Sequence, residues 1–172
     1  FLFRLLNALV DRSDALNSLL YFIAQPMSFF TTLALAAYAT YEIAKTRRST
    51  HGKEIARKWL FIFGAVLLAW LVGGILKGLI ASPRPFLELR DAKLLFPHGG
   101  YDSFPSGHAM FLSALAAGVY FFSERKKLAW VLFATALLVG LARVAAGIHW
   151  PFDIIGGRAR GTAVAYGVFR AR

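Results

Sequence analysis

Five apolar runs, at about residues 26–44, 59–81, 108–122, 128–148 and 152–169, follow one another with short charged joints between them. A helix of roughly 20 apolar residues matches the hydrocarbon thickness of a bilayer. In lipid, every backbone amide must find its partner within the protein, so consecutive runs of this kind read as helices. The expected fold is all-α: a polytopic membrane helical bundle of about five transmembrane helices, forming a single domain over residues 1–172. Composition agrees, because 58% of the residues are hydrophobic and only 17% are charged. A soluble chain of that kind would expose large apolar patches. Residues 1–24 hold two shorter apolar stretches around Asp11, Arg12 and Asp14. There the spacing of Leu5, Leu6, Leu9 and Val10 against Arg4 and Asn7 suits an amphipathic helix lying in the membrane interface, or one packed on the bundle.

The formal net charge of +11 would ordinarily raise nucleic acid as a partner. The basic residues sit instead at the ends of the apolar runs, where they set orientation. Lys45, Arg47, Arg48, Lys53, Arg57, Lys58, Arg125, Lys126, Lys127, Arg170 and Arg172 collect on one side. Arg4, Arg12, Arg84, Arg90 and Lys93 fall on the other. The heavier side is expected to be cytoplasmic, so the one long loop, residues 82–104, faces outward. Its prolines and glycines predict irregular chain with short helical pieces. No cysteine is present, which excludes a disulfide framework and a thiolate site.

Three clusters of polar residues interrupt the apolar pattern, all at outward ends of runs. Ionisable groups so placed are functional candidates. Lys77 and Arg84 are separated by nearly two helical turns and flank Pro83; the alternative is that both snorkel to the headgroups. Phe104-Pro105-Ser106-Gly107-His108 opens the third run. Ser106 is a favoured helix N-cap, Gly107 lets the backbone approach a ligand, and the free N–H groups of a helix start attract anions. His108 there is placed to give a proton to a leaving oxygen. Arg143, His149 and Asp153 surround the joint of the fourth and fifth runs, where Pro151 suits a first helical turn. Asp153 is spaced to hydrogen-bond one nitrogen of His149 and leave the other free to attack. Arg143 needs an anionic partner, either a ligand or Asp153. His98 lies in the loop beside these residues, whereas His51 lies in a basic, solvated joint. Arg158 and Arg160 come unusually early in the fifth run, as headgroup ligands or as partners within the bundle. Gly73, Gly74 and Gly78 permit close helix packing within or between copies of the chain.

In this order and spacing the residues resemble the motifs of the type 2 phosphatidic acid phosphatase (PAP2) superfamily. The first motif, Lys, six residues, Arg-Pro, is Lys77 to Pro85; the second, Pro-Ser-Gly-His, is Pro105 to His108. The third, Ser-Arg, five residues, His, three residues, Asp, runs from Ala142 to Asp153, with Ala142 in place of the usual Ser. The resemblance implies that His149 attacks phosphorus, that Asp153 orients it, and that His108 protonates the leaving oxygen and then activates water. It implies that Lys77, Arg84, Ser106, Gly107 and Arg143 hold the phosphoryl oxygens, with no metal and no other cofactor.

Among such enzymes, a short chain with an outward site is similar to bacterial undecaprenyl diphosphate phosphatases. That likeness implies hydrolysis of the carrier lipid to undecaprenyl phosphate at the outer face of the bacterial cytoplasmic membrane, with lipid phosphate and bilayer as the partners. Phosphatidylglycerol phosphate, phosphatidic acid and lipid A phosphatases share the motifs and stand as alternatives. The vanadium haloperoxidases share the oxyanion cage but are soluble, against the apolar runs. The intact motifs oppose a non-catalytic lipid-binding protein. The orientation carries its own test: in intact cells an impermeant thiol reagent labels Lys93→Cys and spares Arg125→Cys, whereas labelling of Arg125→Cys alone reverses the topology.

Overall fold

The computed structural model describes residues 1–172, and its only regular elements are helices, with no strand. Its elements are α1 (Leu2–Asn7), α2 (Asp14–Ala24), α3 (Pro26–Thr46), α4 (Gly52–Ile80), α5 (Pro85–Glu88), α6 (Gly107–Phe122), α7 (Lys126–Ala145) and α8 (Pro151–Arg170). Local chemistry sets the boundaries. Pro26, Pro85 and Pro151 each begin a helix, where a missing N–H costs nothing. The Ser13 hydroxyl caps α2 by accepting from Leu16 N at 3.2 Å. Helix α4 ends where Ala81 turns left-handed, with its N–H on the Lys77 carbonyl at 2.9 Å.

The five apolar runs appear as α3, α4, α6, α7 and α8. They differ in how they meet a membrane. By length and composition α4 and α7 suffice to cross one, and a third span results if α2 and α3, bent by 45°, count together. Helix α6 is apolar but has only 16 residues. It is the central helix, enclosed by α4, α7 and α8, so protein rather than lipid meets most of its surface. Helix α8 carries Arg158 and Arg160, both half-buried and turned onto protein groups. Arg158 donates to the Phe133 carbonyl at 3.1 Å, and Arg160 lies 4.8 Å over the Phe104 ring. Helix α4 starts earlier than its apolar run, because the polar segment around Glu54 and Lys58, paired at 2.9 Å, continues the helix.

Packing around α6 depends on small residues. Ala109, Ala114, Ala116 and Ala117 are buried along it, and α8 meets it through Gly157 and Gly161. A Cβ on Gly161 would stand 2.1 Å from the Met110 carbonyl oxygen, and one on Gly157 would stand 2.7 Å from that of Ser106. Backbone-to-backbone approach of this kind replaces the hydrophobic drive that lipid cannot supply. Outward, Phe29, Leu67, Trp70, Leu79, Trp130 and Ile155 are exposed as a lipid-facing surface. The N-terminal segment docks on α7 by Phe3, Asn7 and Val10, while Leu2 and Leu5 stay exposed, as expected of an interfacial helix that also packs. Asn7 is its clasp: its amide donates to the carbonyls of Lys93 and Ala145 at 2.8 Å each and accepts from Lys93 N at 2.8 Å.

Gly161→Ala is expected to cost about 3 kcal/mol or more, because only backbone lies in the way of the new methyl. A thermal unfolding midpoint in detergent equal to that of the wild type would contradict this account of the α6–α8 contact.

Candidate active site

The three polar clusters come together at one end of the bundle. Lys77 arrives on the last turn of α4, Ser106 and Gly107 at the start of α6, Arg143 on the last turn of α7, and Asp153 in the first turn of α8. His149 sits in the turn between α7 and α8. That turn requires Gly147, whose φ is +82° and where a Cβ would stand 2.1 Å from the Lys93 carbonyl oxygen. The opposite end of the bundle carries Lys53, Arg57, Lys58, Lys126, Lys127 and Arg170.

His149 is buried, and its Nδ1 pairs with Asp153 Oδ2 at 3.2 Å, leaving Nε2 as the uncommitted nitrogen. The same carboxylate oxygen accepts from Ser103 Oγ at 2.5 Å and from Trp150 N at 2.7 Å. Asp153 is thus fixed from three directions, and through it the ring and tautomer of His149. Burial first, then the nearby Arg143 and Arg84, hold the His149 imidazole well below its ordinary pKa. A neutral imidazole is the form that attacks. The α8 start is tied to the α6 start by Ser106 N, which donates to the Asp153 carbonyl at 3.1 Å.

The cations turn inward. Arg84 is buried, donates to the Ile148 carbonyl at 2.5 Å, and grips Asp102 Oδ1 through Nε at 3.0 Å and Nη2 at 2.9 Å. Lys77 Nζ bonds the Asp102 carbonyl and lies 3.4 Å from its carboxylate. Neither residue snorkels. Arg143 does not pair with Asp153 either. Its Nη1 donates to the Ala24 carbonyl at 2.8 Å and to Gln25 Oε1 at 3.1 Å, and its Nη2 lies 3.3 Å from His98 Nε2. Burial, then Arg84 and Arg143, lower the His98 pKa, so this ring is neutral where it meets the guanidinium.

Three buried polar atoms at this centre have no partner: Arg143 Nε, Ser106 Oγ and His98 Nδ1. Ser106 occupies the N-cap position of α6 but makes no side-chain cap bond. Buried polar atoms are normally satisfied, and each exception calls for a cause. A guanidinium donor and a hydroxyl, both beside a helix start, suit the oxygens of a tetrahedral oxyanion. His108 lies in the first turn of α6. It lines a groove of about 310 Å³ whose other walls include Phe29, Thr32, Trp70 and Phe111.

The model of the PAP2 superfamily matches residues 57–172. This chain belongs to the PAP2 superfamily. It is similar to the undecaprenyl-diphosphatase BcrC of Bacillus subtilis, at 29% identity over 98% of this chain and 81% of that protein. It is equally similar, at 29% over 97% of this chain and 77% of the other, to the bacitracin transport permease protein BcrC of Bacillus licheniformis. The crystal structure of LpxE from Aquifex aeolicus superposes with a TM-score of 0.75 at 26% identity, covering 98% of this chain and 93% of that one. The chain is accordingly a membrane PAP2 lipid phosphatase, a hydrolase of phosphate esters.

Sequence reasoning missed Asp102, Ser103 and Gln25, which hold the cations and the Asp153 carboxylate. Asp102 and Ser103 directly precede Phe104-Pro105-Ser106, and that adjacency was the available signal. In a loop of glycines, however, a polar pair resembles solvated chain. Ser103→Ala removes the shortest bond to Asp153 and is expected to lower kcat roughly tenfold with little change in KM. Steady-state kinetics on a lipid phosphate checks this, and an unchanged kcat would remove Ser103 from the positioning of His149.

Proposed function

We propose that this protein removes the terminal phosphate of undecaprenyl diphosphate at the outer face of the cytoplasmic membrane, through a phosphohistidine on His149. The observation that carries the reading is the buried, neutral His149, held by Asp153 through Nδ1 with Nε2 free. Nε2 attacks the terminal phosphorus, and the bond from phosphorus to the bridging oxygen breaks. His108 gives that oxygen its proton, so the lipid leaves as a monophosphate. The phosphorylated ring carries positive charge, which the Asp153 carboxylate offsets. His108, now basic, takes a proton from water; the hydroxide attacks phosphorus, the P–N bond breaks, and inorganic phosphate departs with His149 restored.

Lys77, Arg84, Arg143, the Ser106 hydroxyl and the Gly107 N–H meet the phosphoryl oxygens throughout. Phosphoryl transfer is chiefly positioning and charge stabilisation, and these protein groups supply both, so the proposed mechanism uses no metal. The groove beside His108 supports the placement of the lipid, because the group that receives the His108 proton must be the one attached to the chain. Ser28 and Thr32 turn their hydroxyls back onto the Gln25 and Ser28 carbonyls, at 3.1 and 2.8 Å, which leaves the groove wall apolar. The substrate choice is supported by the undecaprenyl-diphosphatase relative, matched along nearly the whole chain. The outward orientation is supported by the basic cluster at the end of the bundle opposite the site.

Purified protein in detergent is expected to release phosphate from undecaprenyl diphosphate faster than from phosphatidylglycerol phosphate, phosphatidic acid or lipid A. His149→Ala is expected to reduce that release by roughly 10⁴-fold or more while the protein still folds, and EDTA to leave it unchanged. Preference for another lipid in the panel would overturn the substrate, and loss of activity in EDTA with recovery in Mg²⁺ would overturn the metal-free mechanism.

A further inference from the structure

Asp102 contradicts the simplest picture of a phosphate cradle. Two of its cations already hold a carboxylate: Arg84 binds Oδ1 through two nitrogens at 2.9 and 3.0 Å, and Lys77 lies 3.4 Å from Oδ2. A guanidinium fork on one oxygen with an ammonium on the other is the arrangement a phosphoryl group would require. We infer that Asp102 is a built-in competitor for the phosphate-binding cations, which weakens the hold of the site on free phosphate and favours anions delivered on a lipid. The inference rests on the placement of the substrate phosphate given under Proposed function.

The surroundings allow the carboxylate to leave without disturbing the site. The Asp102 carbonyl is bonded separately by Lys77 Nζ and by Arg84 Nη2, the latter at 3.3 Å. The next residue is clamped by Ser103 N on the Ser82 carbonyl at 3.0 Å and by Ser103 Oγ on Asp153. Backbone position is therefore fixed, while the Asp102 side chain is 47% exposed. Rotation about its first side-chain bond moves the carboxylate into solvent and takes it off both cations, which keep their bonds to the Asp102 carbonyl, and Arg84 its bond to the Ile148 carbonyl.

Charge arithmetic gives the competitor its effect. Arg84 is buried, and a buried cation without an anion is strongly unfavourable. Asp102 neutralises it at the high effective concentration of a tethered group. Every incoming anion must displace that carboxylate and loses affinity accordingly. A lipid phosphate recovers the loss through its chain and its concentration in the membrane. Inorganic phosphate, the second product, has no such compensation and is expelled.

The test is calorimetric binding of inorganic phosphate and of orthovanadate to the purified wild type and variants, a readout independent of turnover. Asp102→Asn and Asp102→Ala are each expected to bind both anions roughly tenfold or more tightly than wild type, and Asp102→Glu to bind them as weakly as wild type. Asp91→Asn, which removes the same charge from the exposed pair with Arg4, is expected to change nothing. Unchanged or weaker anion binding in both Asp102→Asn and Asp102→Ala overturns the inference and makes Asp102 an aligner of the cations. An active wild type with that result loses only this inference. A wild type that hydrolyses no lipid phosphate loses the functional reading itself.

Discussion

The close contact of α6 with α8 is the constraint on which the rest depends. Two glycines of α8 let its backbone rest on the carbonyls of Ser106 and Met110, and no side chain intervenes. Because the helices touch this closely at their site ends, the α6 start and the α8 start share a hydrogen bond, Ser106 N to the Asp153 carbonyl. That bond places the anion-attracting end of one helix beside the carboxylate that holds His149. Bulkier residues at the contact would separate these parts by more than a catalytic arrangement tolerates.

Charge is the second organising term. Three cations lie together in an apolar surround, an arrangement that is costly unless anions or carbonyls meet them. The protein meets part of the demand itself: Ile148 and Ala24 carbonyls face Arg84 and Arg143, and Asp102 faces Arg84 and Lys77. Burial raises the pKa of the Asp102 carboxyl, but Arg84 and Lys77 outweigh it and hold the group below its ordinary range. Among the groups left unmet, Arg143 Nε and Ser106 Oγ are the ones a phosphoryl group can satisfy.

Much of this was legible in the chain before any coordinates, for a specific reason. Lys77, Arg84, Ser106, His108, Arg143, His149 and Asp153 lie at ends of apolar runs, and alternating helix direction brings such ends to one level. The bundle was legible for the same reason, since run length and charge placement are local properties. Asp102, Ser103 and Asn7 were not, because their meaning lies in partners far along the chain. Ser103 reaches Asp153 across 50 residues, and Asn7 reaches Ala145 across 138. All five apolar runs are helices of the bundle, and two or three helices are long and apolar enough by themselves to cross a bilayer. An enclosed helix such as α6 is apolar because protein surrounds it, and hydropathy does not distinguish that from lipid.

The clasp made by Asn7 has a consequence for how the chain matures. It joins the first helix to the long loop at Lys93 and to the end of α7 at Ala145, and Arg143 is likewise anchored on Ala24. The loop itself is tied to Ile148 and Asp153. Elements made first therefore wait for elements made last, and no nascent chain that stops short of α8 holds a working centre. The centre is thus a property of the whole bundle, present only when the earliest helices and α8 hold one another in place.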